Sequence, residues 1–259
     1  MKANLTVAAL QIDLLWENAI GNKTKIGNLL EDLSPDVELV VLPEMFTSGF
    51  SQNSERLAEE MNGSTMEWLH KNADRYNLAI MGSMIVKEEG QFYNRMVFME
   101  PGGIVQTYDK RHLFRMGDEH NYFSSGKERK VFDFRGWRIL PQICYDLRFP
   151  VWSRNQNDYD LMVYVASWPE SRRDVWSVLL QARAIENQAF VVGTNRIGED
   201  GTGLTYSGDS VIIDPKGMII TSAKRGLEEI ISAGLSLDEL NAFRLKFPVW
   251  MDADDFSVR

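Results

Sequence analysis

The order of apolar runs along the 259 residues predicts a mixed α/β (α+β) chain with helices packed outside sheets. Three observations lead to this reading. Short apolar runs bounded by turn residues, such as 38–42 and 159–166, have the look of strands buried on both faces. Stretches with apolar residues three and four apart, such as 22–33 and 172–189, alternate with them. Hairpin punctuation at Pro101, Gly102, Gly103 and again at Arg135, Gly136 argues against a purely parallel sheet.

Taken in order, residues 4–12 read as a strand around Val7, Ala9 and Leu10. This N-terminal stretch superficially resembles a signal peptide, but Lys2 is its lone positive charge, and Gln11 and Asp13 interrupt the apolar run. A helix over 22–33 aligns Ile26, Leu29, Leu30 and Leu33, and Ser34-Pro35 stops it. Ser64 and Glu67 form an expected capping box for a second helix carrying Met66, Leu69, Ala73 and Tyr76. Strands follow at 78–86, 95–100, 104–108, 131–134, 137–144 and 159–166. The helix at 172–189 carries a stripe of Val175, Val178, Leu179, Ala182 and Ile185. Strands at 190–194, 210–214, 218–222 and 230–234 come next, then a short helix capped by Ser236. No composition break marks a linker, so residues 1–259 read as one domain.

A net charge of -9 gives no electrostatic footprint for nucleic acid or an anionic membrane. No run of about 18 apolar residues exists to span a bilayer. A single cysteine, Cys144, cannot form an intrachain disulfide, which fits a reducing, cytoplasmic setting.

Three candidate chemical residues sit just past predicted strands: Glu44, Lys110 and Cys144. By position alone each has an ordinary alternative. Cys144 reads equally as a small buried hydrophobe, Glu44 as a loop carboxylate and Lys110 as a solvated lysine. A nucleophilic thiol needs a base or a cation beside it. His70, His112 and His120 are available as bases, but none lies in a cysteine-protease signature. Three scattered histidines and one cysteine do not present zinc spacing.

The strings VVLPEMF around Glu44, YDKRHLF around Lys110 and QICYDLRFP around Cys144 occur in that order. With Tyr93-Asn94-Arg95, and with Gly208-Asp209-Ser210 followed by Asp214-Pro215-Lys216-Gly217, they resemble the nitrilase superfamily of carbon–nitrogen hydrolases over residues 5 to 250. The segments at Ser48–Phe50, 112–115, 118–120, 146–153 and 246–250 narrow the resemblance to its omega-amidase branch, which hydrolyses the terminal amide of 2-oxoglutaramate and 2-oxosuccinamate.

The resemblance implies a four-layer αββα sandwich, usually paired as a homodimer with the C-terminal tail, here 235–259, at the interface. It implies Glu44 as general base, Cys144 as nucleophile, and Lys110 with the Tyr145 backbone N–H as oxyanion donors. It implies Glu119 as a second glutamate that positions substrate and water, with no metal or other cofactor. For a half-amide of a dicarboxylic acid a cation must hold the far carboxylate; Arg172, at the start of the 172–189 helix, is the candidate. Phe46, Phe114 and Trp168 are candidate pocket walls, with core packing as the alternative for each, and Arg148 reads as a structural ion-pair partner. Other superfamily hydrolases, a silent binding protein on the same fold, and an ammonia supplier to a separate partner are the rival expectations. The presence of Glu44, Lys110 and Cys144 together argues against the silent one.

Overall fold

A computed structural model of the chain describes residues 4–254, 256 and 257. In order, the elements are β1 (Asn4–Gln11), α1 (Ala19–Glu31), β2 (Leu39–Val41), α2 (Ser54–Leu57), α3 (Ser64–Tyr76), β3 (Ala79–Glu88), β4 (Gln91–Met99), β5 (Val105–Asp109), β6 (Phe132–Phe134) and β7 (Trp137–Ile143). They continue with α4 (Pro150–Ser153), β8 (Leu161–Ala166), α5 (Arg173–Asn187), β9 (Phe190–Asn195), β10 (Ile197–Glu199), β11 (Thr205–Ser207), β12 (Val211–Ile213), β13 (Ile219–Ser222), β14 (Glu229–Ser236) and α6 (Leu237–Lys246).

Among these residues the strands form two six-stranded sheets, ordered β14-β1-β2-β3-β4-β5 and β13-β12-β9-β8-β7-β6, and a ribbon of β10 and β11. Each sheet has a parallel centre, β1-β2-β3 or β7-β8-β9, and antiparallel flanks. The hairpins predicted from Gly103 and Gly136 supply two of those flanks.

The layers follow from the two-residue period of the strands. Leu5, Val7 and Ala9 of β1 point inward and meet Ile139, Val163 and Val192 of the other sheet in the central core. Ala8 and Leu10 point outward onto Ile26 and Leu30 of α1, with Leu69 of α3 in the same outer core. On the far side Leu140, Met162 and Val191 pack against Trp176, Leu180 and Ala184 of α5. The result is the αββα sandwich.

Local expectations differ from the structure in four places. The capping box at Ser64 does not form. Ser64 is already inside α3, and Glu59 takes the capping role: its carboxylate accepts the Thr65 N–H at 2.8 Å and the Ser64 hydroxyl at 3.1 Å. The buried face of α5 is Trp176, Leu180, Arg183, Ala184 and Asn187, while Val178 and Ile185 are exposed. Hydrophobicity alone misplaces this face because two polar residues are buried with partners. Arg183 donates to the Leu147 carbonyl at 2.6 Å, and Asn187 accepts the Asn155 N–H at 2.8 Å. The ribbon of β10 and β11 was not anticipated at all.

The segment expected as an interface tail, 235–259, begins inside the fold. Residue 235 belongs to β14, Leu240 of α6 enters the central core, and Arg244 is tied to Asp160 at 2.8 Å. Exposed apolar side chains start at Leu245 and include Phe247 and Trp250; residues 255, 258 and 259 lie outside the described ones. No helix among the described residues is long and apolar enough to cross a membrane.

Candidate active site

Glu44, Lys110 and Cys144 each lie just beyond a strand end, after β2, β5 and β7. A backbone contact anchors the Lys110 segment: the Gly126 N–H donates to the Lys110 carbonyl at 2.9 Å. The chain passes so close there that a Cβ on residue 126 would lie 2.1 Å from the Asp109 carbonyl oxygen, so only glycine fits.

The Lys110 ammonium is 1% exposed at the residue level and sits between two carboxylates that are 0% exposed. It donates to Glu44 Oε1 at 2.8 Å and to Glu119 Oε1 at 2.9 Å. Asn94 of β4 ties the same two oxygens together, donating to Glu44 Oε1 at 2.8 Å and to Glu119 Oε1 at 3.3 Å. The Ser167 N–H holds Glu44 Oε2 at 2.8 Å, and the Phe114 N–H holds Glu119 Oε2 at 2.6 Å. Every oxygen of the two carboxylates therefore has a donor, as burial of charge requires.

One cation between two carboxylates leaves an excess negative charge in a dry site. Burial alone would pull the Lys110 pKa down, but Glu119 and Glu44 outweigh it and hold the ammonium charged far above its ordinary range. Burial raises the Glu119 pKa; Lys110 opposes this and the nearby Glu44 charge reinforces it. Burial, followed by the Glu44 charge, lifts the Cys144 thiol well above its usual pKa, with Lys110 pulling the other way. Both effects favour the neutral thiol over the thiolate.

Cys144 adopts φ +44, a left-handed conformation that costs a non-glycine residue about 1–3 kcal/mol. The turn lets β7 pass directly into a 3-10 helix at Cys144–Arg148 and brings the thiol 3.9 Å from the Ser167 carbonyl oxygen. Tyr145 sits in the first turn of that helix, where backbone donors have no acceptor within the helix.

Two residues on, Asp146 locks this elbow to the Lys110 segment. Its Oδ2 accepts the Ile143 N–H at 3.0 Å and the Tyr108 hydroxyl at 2.8 Å. Its Oδ1 lies 3.0 Å from the His112 N–H and 2.8 Å from His112 Nδ1. His112 is thereby engaged, and it stacks on Phe149 at 3.8 Å; His70 pairs with Asp74 on α3. The charged groups that act on the thiol are Glu44, Lys110 and Glu119, and no histidine is among them.

Cys144 and Lys110 line a cavity of about 390 Å³. Phe114 and Trp168 line it as expected, with Phe50, Trp16 and Tyr206. Phe46 does not. After the left-handed turn at Met45 (φ +46) its ring enters the outer core under α3, 6.3 Å from Trp68, so the wall assignment is corrected to core. Arg172 lines the cavity, with its guanidinium 5.3 Å from the Phe114 ring centre. Arg148, expected in a structural ion pair, instead lines the same cavity 5.2 Å from the Trp168 ring centre. Neither arginine has an acidic partner among the described residues, whereas the adjacent Arg173 pairs with Asp209 at 2.6 Å.

Sequence reasoning passed over Ser167, Asp146, the Tyr206 wall and the role of Arg148. A polar Asn94 inside the apolar run of β4 was a usable signal, as was the glycine-flanked turn at 200–203 that joins β10 to β11.

Replacing Asp146 with alanine is expected to strand three buried or half-buried donors. Global stability should fall by about 3 kcal/mol in urea denaturation, since each unpaired donor costs about 1–3 kcal/mol. A loss below about 1 kcal/mol would contradict the anchoring role.

The comparisons with known proteins agree with this geometry. The family model for carbon-nitrogen hydrolase matches residues 6–245. The chain is 48% identical over 98% of its length to the omega-amidase YafV of Escherichia coli K12, covering 98% of that protein. It is 37% identical to the 2-oxoglutaramate amidase of Bacillus subtilis, over 95% of this chain and 96% of the relative. A solved carbon–nitrogen hydrolase superfamily protein of Xanthomonas campestris, carrying an arsenic adduct in its active site, superposes with a TM-score of 0.97 at 42% identity, over 100% of both chains. The chain belongs to the carbon–nitrogen hydrolase family.

Proposed function

We propose that this chain is an omega-amidase that converts monoamides of 2-oxo dicarboxylic acids, such as 2-oxoglutaramate and 2-oxosuccinamate, to the 2-oxo acid and ammonia. The observation that carries this is the buried Glu44, Lys110, Glu119 cluster beside Cys144, at a cavity lined by Arg148 and Arg172, which have no acidic partner among the described residues. The names of the relatives at 48% and 37% identity support the same substrate class.

In this reading Glu44 removes the Cys144 proton as the sulfur attacks the amide carbon, so thiolate forms only when substrate is in place. General base assistance of this kind contributes about 10²–10⁴ in rate. The carbonyl oxygen becomes an oxyanion held by Lys110 and the Tyr145 N–H; such a preorganised donor contributes about 2.7–4 kcal/mol. The C–N bond then breaks, Glu44 returns its proton to the nitrogen, and ammonia leaves a thioester on Cys144. Glu44 next takes a proton from water, whose oxygen attacks the thioester carbon. The acid departs and the sulfur recovers its proton. Glu119 holds Lys110 from its other side and, through the Phe114 N–H, fixes the loop that carries the Phe114 wall.

Arg172 and Arg148 are the candidates for the substrate's distal carboxylate. Guanidinium groups bind carboxylates in a planar fork, and both are held over aromatic rings facing the cavity. We also infer one catalytic unit over residues 1–259, a homodimer and a cytoplasmic location. The exposed Val178 and Ile185 of α5, with Met218 and Ile219 after Gly217, whose carbonyl accepts from Gln181 of α5, and Phe247 and Trp250 of the tail, supply apolar surface for a second copy. The free thiol that the chemistry needs suits a reducing compartment.

The direct test is ammonia release from 2-oxoglutaramate, a simple nitrile and an N-carbamoyl amino acid. The oxo-amide is expected to be turned over fastest, and Cys144→Ala to lose at least about 10³-fold. Failure to turn over the oxo-amide, or full activity in the alanine variant, would sink the proposal. In Arg172→Ala and Arg148→Ala, KM for 2-oxoglutaramate should rise about tenfold or more, while an uncharged amide of equal length is little affected. Equal losses on both substrates would remove the arginines from carboxylate recognition.

A further inference from the structure

Ser167 follows β8 as directly as Glu44, Lys110 and Cys144 follow their own strands. It is 5% exposed, lines the cavity, and its hydroxyl has no hydrogen-bond partner among the described residues. A buried hydroxyl without a partner is uncommon and points to something it meets during function. Its backbone is fully committed. The Ser167 N–H donates to Glu44 Oε2 at 2.8 Å, and the Ser167 carbonyl oxygen stands 3.9 Å from Cys144 Sγ. The next residue is clamped by Asn195, which accepts the Trp168 N–H at 2.8 Å and donates to the Trp168 carbonyl at 3.0 Å. Residue 167 therefore cannot drift, and its hydroxyl is a fixed polar point in a largely aromatic chamber.

Its neighbours define what that point can meet. The reacting carbon must bond to Cys144 Sγ, and the leaving nitrogen must take its proton from Glu44. Ser167 touches both partners of this step and lies on the Oε2 side of Glu44, away from the Lys110 ammonium, which occupies Oε1. The oxyanion belongs on the Lys110 side, so the leaving nitrogen belongs on the Ser167 side. We infer that the Ser167 hydroxyl accepts a hydrogen bond from the N–H of the substrate's primary amide, orienting the leaving nitrogen for protonation by Glu44. The inference rests on the proposed reading of Cys144 as nucleophile and Glu44 as base, and adds recognition of the leaving group to it. A site with a buried polar group placed for N–H discriminates against analogues that lack it.

The test compares two substrates with the same acyl chain: the ω-amide, and the ω-methyl ester, whose leaving oxygen carries no hydrogen. Both acylate the same sulfur, one expelling ammonia and the other methanol. In Ser167→Ala, kcat/KM for the amide is expected to fall at least about tenfold while that for the ester changes less than about twofold. Ser167→Thr, which keeps the hydroxyl, should restore the wild-type amide-to-ester ratio. The ratio does not depend on the fraction of enzyme that is folded, so a poorly folding variant still reports. Equal losses on both substrates would make Ser167 a structural support of Glu44 and overturn the inference, as would no loss on either. Cys144→Ala separates the two levels. If it still releases ammonia, the underlying mechanism fails; if it is silent while Ser167→Ala keeps the wild-type ratio, only the leaving-group inference fails.

Discussion

A single buried ammonium organises this molecule. Lys110 is shared by Glu44 and Glu119, and none of the three reaches solvent appreciably. Burying such groups is tolerable only when each has a partner, and removing Lys110 would leave two buried carboxylates facing each other without a cation. The surrounding donors from Asn94, Ser167 and Phe114 therefore belong to the same unit. The unit also acts on the Cys144 thiol. Its excess negative charge, together with burial, raises the Cys144 pKa and favours the neutral thiol.

The fold supplies that unit through strand ends. The exits of β5, β7 and β8 deliver Lys110, Cys144 and Ser167 to the cavity wall, and Glu44, after β2, is held to that wall by the Lys110 ammonium and the Ser167 N–H. Two devices hold the exits at fixed distances. Asp146 joins the Cys144 elbow to the segment after Lys110, and Asn195 fixes the residue after Ser167. The strained φ of Cys144 is retained because these bonds over-determine it.

Much of this was readable from the chain. The apolar strand runs, the hairpin turns and the positions of Glu44, Lys110 and Cys144 just past strands follow from two-residue and 3.6-residue periods. The layered sandwich and the roles of the three residues needed the resemblance, because periodicity does not say which strands are neighbours. What stayed hidden has physical causes. Phe46 had both a wall and a core reading in the sequence, and the left-handed Met45 turns its ring into the core. The buried face of α5 was misread because Arg183 and Asn187 are hidden, each held by hydrogen bonds to residues outside the helix. Ser167 has no sequence signature, since a serine after a strand is ordinary until the donor and acceptor pattern around it is known.

In the proposed mechanism Cys144 rests as a thiol, and Glu44 both raises its pKa and removes its proton. The most direct measurement is the pH dependence of Cys144 alkylation by iodoacetamide in the wild type and in Glu44→Gln. The wild-type midpoint is expected well above the value of about 8.5 for free cysteine. A lower midpoint is expected in the glutamine variant, with amide turnover nearly lost. A wild-type cysteine already ionised at neutral pH, or a midpoint that the substitution leaves unchanged or raises, would contradict it.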